Sequence, residues 1–243
     1  MRLFGLIGFP LTHSFSRNYF SRKFEEEGLT DCRYELFSIP SIIEIAEVLS
    51  SPGLQGLNVT IPYKQKVLPY LDSVENLPAG LDACNCIQIV NGQLIGFNTD
   101  VMGFERSFVS LILPHDRRAL VLGSGGASRA IQFVLGKLGI DCRIISRAAG
   151  EGRLAYSDLN EDVMAQHSII INTTPVGTYP AVNDSPLIPY DLITKQHYLF
   201  DVVYNPGESV FLAKGKEKGA RIKNGYEMLE IQAEESWKIW NRP

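Results

Sequence analysis

A chain of 243 residues is long enough for one large or two small domains, and its core needs no disulfide or metal to hold it. Hydrophobic residues at 45% and charged residues at 21% exclude a disordered, collagen-like or coiled-coil chain. Lys and Arg number 23 against 27 Asp and Glu, and no basic run stands out that could neutralise a row of phosphates, so no nucleic-acid partner is expected.

Apolar runs alternate with amphipathic stretches from the first residues, the pattern of βαβ units around a mainly parallel sheet. Residues 2–8 read as a strand, 16–27 as a helix ended by Gly28, and 32–39 as a second strand. A helix at 41–49 precedes a short strand at 56–60. Asn91-Gly92 between 87–90 and 93–96 predicts a two-residue hairpin, because Asn-Gly readily supplies two positive φ values. Such a hairpin implies an antiparallel edge and therefore a mixed first sheet. Residues 101–113 read as a helix leaving the first half, with a domain boundary near 100–104. The second half restarts with a strand at 118–122, a Gly-rich turn, a helix at 127–138 stopped by Gly139, and a strand at 142–146. Strands at 168–172 and 198–203, a helix around 210–218 and a last helix at 226–240 follow.

Cys32, Cys84, Cys86 and Cys142 lack zinc-site spacing and read as reduced thiols, and the four histidines never fall at i, i+4. No metal is expected. The apolar run 3–11 contains two glycines and a proline and has no small-residue cleavage site, unlike a signal peptide. No apolar stretch approaches the ~18–20 residues needed to cross a bilayer, so a cytoplasmic protein without a membrane partner is expected.

Gly123-Ser124-Gly125-Gly126-Ala127-Ser128 follows an apolar strand and opens a helix, the context that gives a Gly-rich pattern its meaning. Glycines at 123 and 125 let the backbone turn tightly and touch a pyrophosphate, while the helix N-terminus presents unpaired N–H groups to it. The next strand ends Ile144-Ile145-Ser146-Arg147, without the carboxylate that would bond a ribose 2′-OH. Arg147 suits a 2′-phosphate, which favours NADP over NAD.

The first half carries dense polar clusters. Thr12-His13-Ser14-Phe15-Ser16 sets two hydroxyls two residues apart at a strand-to-helix turn, where both could face one polyol. Asn58-Val59-Thr60-Ile61-Pro62-Tyr63-Lys64 ends a strand with amide, hydroxyl and ammonium, and Asn98-Thr99-Asp100 puts a carboxylate at the mouth of a helix. Together they describe a hydroxyl-rich pocket with one cation and one carboxylate.

With these motifs the sequence resembles the shikimate dehydrogenases nearly from end to end. Beside the paired serines, the lysine and aspartate motifs and the Gly-rich loop, the resemblance includes Ala83-Cys84-Asn85, Asn172-Thr173-Thr174-Pro175-Val176-Gly177, Asp201-Val202-Val203-Tyr204-Asn205-Pro206 and Asn224-Gly225-Tyr226-Glu227-Met228-Leu229 with Gln232. It implies two α/β domains: a mixed-sheet substrate domain of residues 1–101 and 226–243, and a Rossmann-type NADP-binding domain of residues 102–225. The C-terminal helix would return to the first domain and leave a cleft between the halves.

The implied activity is the reversible, NADP-dependent reduction of 3-dehydroshikimate to shikimate, by a monomer or homodimer. Lys64 and Asp100 would be the catalytic pair, and Ser14, Ser16, Thr60, Asn85, Tyr204 and Gln232 would hold the substrate. Gly123, Gly125, Gly126, Ala127 and Arg147 would bind the cofactor, with Gly225 and Met228 lining the nicotinamide. Whether Lys64 donates a proton or stabilises an oxyanion by charge is left open by the sequence.

Three departures accompany the resemblance. Arg17 stands where the family usually has proline after the second serine, Ser146-Arg147-Ala148 replaces the common Asn-Arg-Thr, and 149–158 is short and Gly-rich for the usual helix. They point to an altered start of the first helix and a weaker NADP preference. Two other functions fit the same motifs: an NAD(P)-dependent quinate/shikimate dehydrogenase, and a non-catalytic NADP-binding regulatory module.

Overall fold

The strand Arg2–Gly8 (β1) is buried at every residue but its first, as a strand covered on both faces must be. In the computed structural model, which describes residues 1–11, 14–75 and 81–242, this strand is the start of the first of two units. Thr12 and His13 of the hydroxyl cluster lie outside the described residues. The units comprise residues 1–102 with 232–243, and residues 103–231.

In the first unit, β1 is followed by helix Phe15–Glu26 (α1), strand Cys32–Ser38 (β2), helix Ile45–Leu49 (α2) and strand Leu54–Val59 (β3). The two-residue strand Ser73–Val74 (β4) and strands Cys86–Val90 (β5) and Gln93–Phe97 (β6) come next, and helix Asp100–Val109 (α3) starts in this unit and continues into the second. The sheet order is β2-β1-β3-β5-β6-β4. Its first three strands are parallel, and β5 runs antiparallel to both neighbours, so the sheet is mixed. The Asn91-Gly92 turn takes φ values of 51° and 78°, as the hairpin requires. The hairpin is not the edge, however. β4 pairs with β6 and takes that position, a strand too short to carry any sequence signal.

Each face of this sheet carries its own apolar layer. Ile7, Leu57, Tyr63 and Ile87 pack with Ile45 and Val48 of α2 on one side. Phe4, Phe20, Phe24 and Tyr34 pack on the other with Ile239 and Trp240 from the last helix, Tyr226–Trp240 (α7). The end of α7 is thus built into the first sheet. Trp240 donates its indole N–H to the Ile87 carbonyl at 2.9 Å and stacks on Phe4 with centroids 5.0 Å apart. Trp237, half-buried, meets Phe4 edge-on and packs against the same layer.

The second unit holds strand Arg118–Leu122 (β7), helix Gly126–Lys137 (α4), strands Asp141–Ser146 (β8) and Arg153–Ala155 (β9), and helix Glu161–Gln166 (α5). Strands Ile169–Asn172 (β10) and Tyr198–Asp201 (β11), helix Val210–Glu217 (α6) and strand Arg221–Lys223 (β12) complete it. All six strands are parallel in the order β12-β11-β10-β7-β8-β9. Read from β9, this is third, second, first, fourth, fifth, sixth: the doubly wound order, with its switch point between β7 and β10.

Several local features depart from the sequence reading. The helix expected over 101–113 stops at Val109, where the Ser107 hydroxyl donates to the carbonyls of Gly103 and Phe104 and that of Ser110 to Ser107. Such bonds compete with the helix ladder. β9, α5 and β12, at three, six and three residues, were not foreseen. β8 and β9 are parallel, yet residues 147–152 alone join them, where a crossover usually takes a dozen residues. Gly150 and Arg153 bridge antiparallel and Gly152 takes φ 69°, which reverses the chain without a helix.

A Cβ on Gly56 would lie 2.3 Å from the Trp240 ring. Gly56→Ala is therefore expected to cost about 1–3 kcal/mol by overpacking, read as a lowered urea midpoint.

Candidate active site

In the first unit, β3 ends at Val59, and the chain turns back on itself through a bond from Tyr63 N–H to the Thr60 carbonyl at 2.8 Å. The Lys64 carbonyl then accepts from Cys84 N–H at 2.7 Å, which ties this turn to the segment entering β5. The Lys64 ammonium donates to Asp100 Oδ2 at 2.6 Å. Asp100 is the first residue of α3, and Asn98 caps that helix by accepting from Val101 N–H at 3.3 Å while donating to the Ala83 carbonyl at 2.7 Å. Asn98 is thus a capping residue.

Asn85 joins the pair to the interior. Its Oδ1 accepts from Thr99 N–H at 2.6 Å, and its Nδ2 donates to Asp100 Oδ1 at 2.9 Å and to Thr99 Oγ1 at 3.0 Å. Both oxygens of Asp100 are therefore held, one by Asn85 and one by Lys64. The side chains of Lys64 and Asp100 retain 17% and 10% exposure, so the pair is largely desolvated yet reachable. Two hydrogens of the Lys64 ammonium have no partner among the described residues. Gln232, on α7, is buried with its Oε1 3.5 Å from Thr99 Oγ1.

Ser14 is the N-cap of α1, accepting from Arg17 N–H at 3.3 Å. A proline at 17 would have no N–H to give, so the departure at Arg17 completes the cap rather than disturbing the helix. Burial pushes the Tyr34 phenol well above its ordinary pKa, opposed in part by Ser16. Tyr34 in turn donates to Asn58 Oδ1 at 2.8 Å, and Asn58 Nδ2 donates to Ser236 Oγ at 2.9 Å. Tyr34 and Ser236 were missed by sequence reasoning. The signal available was spacing, since Ser236 lies one helical turn from Gln232 on α7 and so shares its face. Thr60 is half-buried at the end of β3. Burial pushes the thiols of Cys84 and Cys86 up, that of Cys84 to about 11. Both are protonated thiols in the core, and the described residues contain no cluster of His, Cys, Asp or Glu suited to a metal.

The second unit presents a different surface. Gly123 takes φ 102°, and a Cβ there would lie 2.9 Å from Thr173 Oγ1 and 3.0 Å from Thr174 Cγ2, so only glycine fits. A Cβ on Gly125 would meet nothing within 4 Å. Gly125 is the N-cap of α4, and no side chain caps that helix. The first-turn N–H groups, including those of Gly126 and Ala127, thus open at the switch point between β7 and β10, where a phosphate group can approach the backbone. These residues fit a dinucleotide pyrophosphate.

Arg147 is exposed just past β8, and the Ser146 hydroxyl is turned to the Ala148 carbonyl at 2.6 Å. Tyr204 is half-buried after β11. At the end of that strand, burial pushes the Asp201 carboxyl up to about 6, and it accepts from Asn172 Nδ2 at 2.9 Å and from Ser209 Oγ at 2.5 Å. Gly225 lies where a Cβ would be 2.3 Å from the Val202 carbonyl oxygen, and Met228 is buried. Lys64, Asn85, Asp100 and Gln232 are therefore brought together in the first unit, while Tyr204, Gly225 and Met228 belong to the second.

Residues 6–87 match the family described as the shikimate dehydrogenase substrate binding domain. An NADP(+) shikimate dehydrogenase of Methanococcus vannielii is 35% identical, over 98% of this chain and 90% of that protein. The chain belongs to the shikimate dehydrogenase family. The crystal structure of the Aquifex aeolicus shikimate dehydrogenase superposes with a TM-score of 0.88 at 34% identity, over 99% of this chain and 92% of that one. A shikimate 5-dehydrogenase of Thermus thermophilus, solved with NADP(H) and shikimate, superposes with a TM-score of 0.86 at 30% identity, covering 99% and 94% of the two chains. The family's two-domain α/β architecture is that of the two sheets described above.

The Asn85 amide ties Thr99 and Asp100 together. Asn85→Ala leaves the Thr99 N–H and one Asp100 oxygen without their partner, at an expected cost of about 2–4 kcal/mol in chemical denaturation.

Proposed function

We propose that the chain is an NADP-dependent shikimate dehydrogenase, an oxidoreductase that interconverts 3-dehydroshikimate and shikimate, working in the cytoplasm as a monomer or homodimer. The observation that carries this reading is the Lys64–Asp100 pair, desolvated, anchored through Asn85, and with two ammonium hydrogens unpartnered among the described residues. No helix is long and apolar enough to cross a membrane among the described residues.

In this assignment residues 1–101 and 226–243 form the substrate domain, and residues 102–225 hold NADP. NADP, when bound, supplies the hydride chemistry. Gly123, Gly125, Gly126 and Ala127 hold its pyrophosphate against the start of α4, and Arg147 takes its 2′-phosphate. Gly225 and Met228 line the nicotinamide.

The residues of the first unit handle the substrate and its proton. Ser14, Ser16, Thr60, Asn85 and Gln232, with Tyr204, bind its carboxylate and hydroxyls. The Lys64 ammonium turns its open hydrogens to the oxygen at C3, which gains negative charge as the carbonyl is reduced. That cation stabilises the oxygen and stands within reach to give it a proton. Asp100 fixes the direction of the ammonium by occupying its third hydrogen. An apolar side chain at position 64 would leave the developing charge unopposed.

Mixing the protein with shikimate and NADP, and separately with quinate and NAD, and following nicotinamide absorbance tests the assignment. Turnover of the first pair is expected; no turnover, or turnover of quinate with NAD alone, refutes it. Lys64→Ala should lower kcat by roughly 10²–10⁴-fold and leave KM for shikimate within a few-fold. A near-normal kcat would remove Lys64 from the chemistry. Arg147→Ala should raise KM for NADP by roughly ten- to a hundredfold with little change for NAD, because a single charge-assisted phosphate contact is lost. The check is the ratio of kcat/KM for the two cofactors, which stays constant if Arg147 does not read the phosphate.

A further inference from the structure

Behind the proposed catalytic pair, four buried residues that the mechanism does not use, Tyr34, Asn58, Thr99 and Ser236, form one hydrogen-bonded chain. Its direction follows from counting hydrogens. Asn58 Oδ1 takes the Tyr34 phenol, so Asn58 Nδ2 must donate, and it does so to Ser236 Oγ at 2.9 Å. Ser236 has a single hydroxyl hydrogen and gives it to the Gln232 carbonyl at 2.9 Å. Its oxygen accepts from Asn58 and faces Thr99 Oγ1 3.3 Å away, whose one hydrogen is shared among Ser236 Oγ, Asn85 Oδ1 at 3.3 Å and Gln232 Oε1 at 3.5 Å. Thr99 Oγ1 itself accepts from Asn85 Nδ2, the same amide group that grips Asp100.

Ser236 is thus the junction of two branches. One runs through Thr99 and Asn85 to Asp100 and Lys64. The other runs through Asn58 to the Tyr34 phenol. Burial keeps the Tyr34 phenol well above its ordinary pKa, so it remains a donor to Asn58 throughout the working range. Ser236 is wholly enclosed, at 0% exposure, and touches no solvent through which a substrate could reach it. Whatever it does for the reaction it does through its neighbours.

We infer that Ser236 is a positioning residue: by meeting Thr99 and Asn58 at once, it fixes Thr99 and, through Asn85, the placement of the Lys64–Asp100 pair against the end of β3. The inference rests on the dehydrogenase reading above. A rigid cyclic substrate reacting at that pair turns small changes in its placement into large changes in rate, because misplacement at the reacting atoms is costly.

Ser236→Ala removes the shared acceptor, leaving Asn58 Nδ2 only its 3.4 Å contact with the Asn85 carbonyl. The expected result is a fall in kcat of roughly five- to thirtyfold, a rise of a few-fold in KM for shikimate, and no change in KM for NADP. The ionisation limb of the kcat pH profile should also move, a readout that a purely structural role would leave in place. Ser236→Cys keeps the volume while weakening the acceptor, and is expected to lie between wild type and Ser236→Ala; it carries the comparison alone if Ser236→Ala does not fold. Variants that keep kcat within twofold and an unmoved pH profile overturn the inference, as does a loss of kcat matched by an equal loss of NADP-binding protein. A wild-type enzyme inactive on shikimate removes the dehydrogenase reading and this inference with it, whereas an active wild type with unaffected variants removes the inference alone.

Discussion

The polar centre of the first unit depends on one amide being held in one orientation. Asn85 meets a backbone N–H, which can only donate, and a carboxylate, which accepts when ionised. Flipping the amide would set N–H against N–H and oxygen against oxygen in a buried site. That penalty, larger than the net gain of an ordinary hydrogen bond, fixes the group. From it follow the place of Asp100 at the start of α3, the line of the Lys64 ammonium, and the orientation of Thr99 toward α7.

The two units meet their functional demands by opposite means. In the first, side chains from the ends of β3, β6 and α7 converge, and each is locked by a partner of fixed polarity. In the second, the backbone presents the site. Gly123 lies against Thr173 and Thr174, and the Thr173 hydroxyl bonds the Leu122 carbonyl at 2.6 Å, so the ends of β7 and β10 hold the turn between them. Glycines at 123, 125 and 126 keep the backbone bare where the pyrophosphate is proposed to lie. The contrast matches the proposed ligands: a polyol must be read group by group, whereas a pyrophosphate is met by N–H groups and a helix dipole.

Elements long enough to show a period, or punctuated by Gly, were legible in the sequence. β1, α1, the Asn91-Gly92 hairpin and α7 are of this kind. Pieces of two to six residues, β4, β9, α5 and β12, were not, because their pairing partners rather than their own residues define them. The candidate site divides in the same way. Lys64, Asp100 and Asn85 stand in contiguous polar motifs, whereas Tyr34 sits in an ordinary strand and Ser236 in an ordinary helix. Only tertiary packing brings those two to Asn58, over separations of 24 and 178 residues.

The short link between β8 and β9 bears on how the proposed cofactor would be told from its relative without the phosphate. With residues 147–152 spent on a tight reversal, no helix follows β8 to add polar groups around Arg147. The Ser146 hydroxyl gives its hydrogen to the Ala148 carbonyl, and Ala148 has none to give. On the proposed reading, recognition of a 2′-phosphate would fall largely to one exposed guanidinium. Exposed charges are screened over about 8–10 Å at ordinary ionic strength, and a lone pair of them gains little beyond its direct contact. On the proposed reading, discrimination between the two dinucleotides would rest on that one contact, whereas the groups proposed to meet the substrate are buried and multiply bonded.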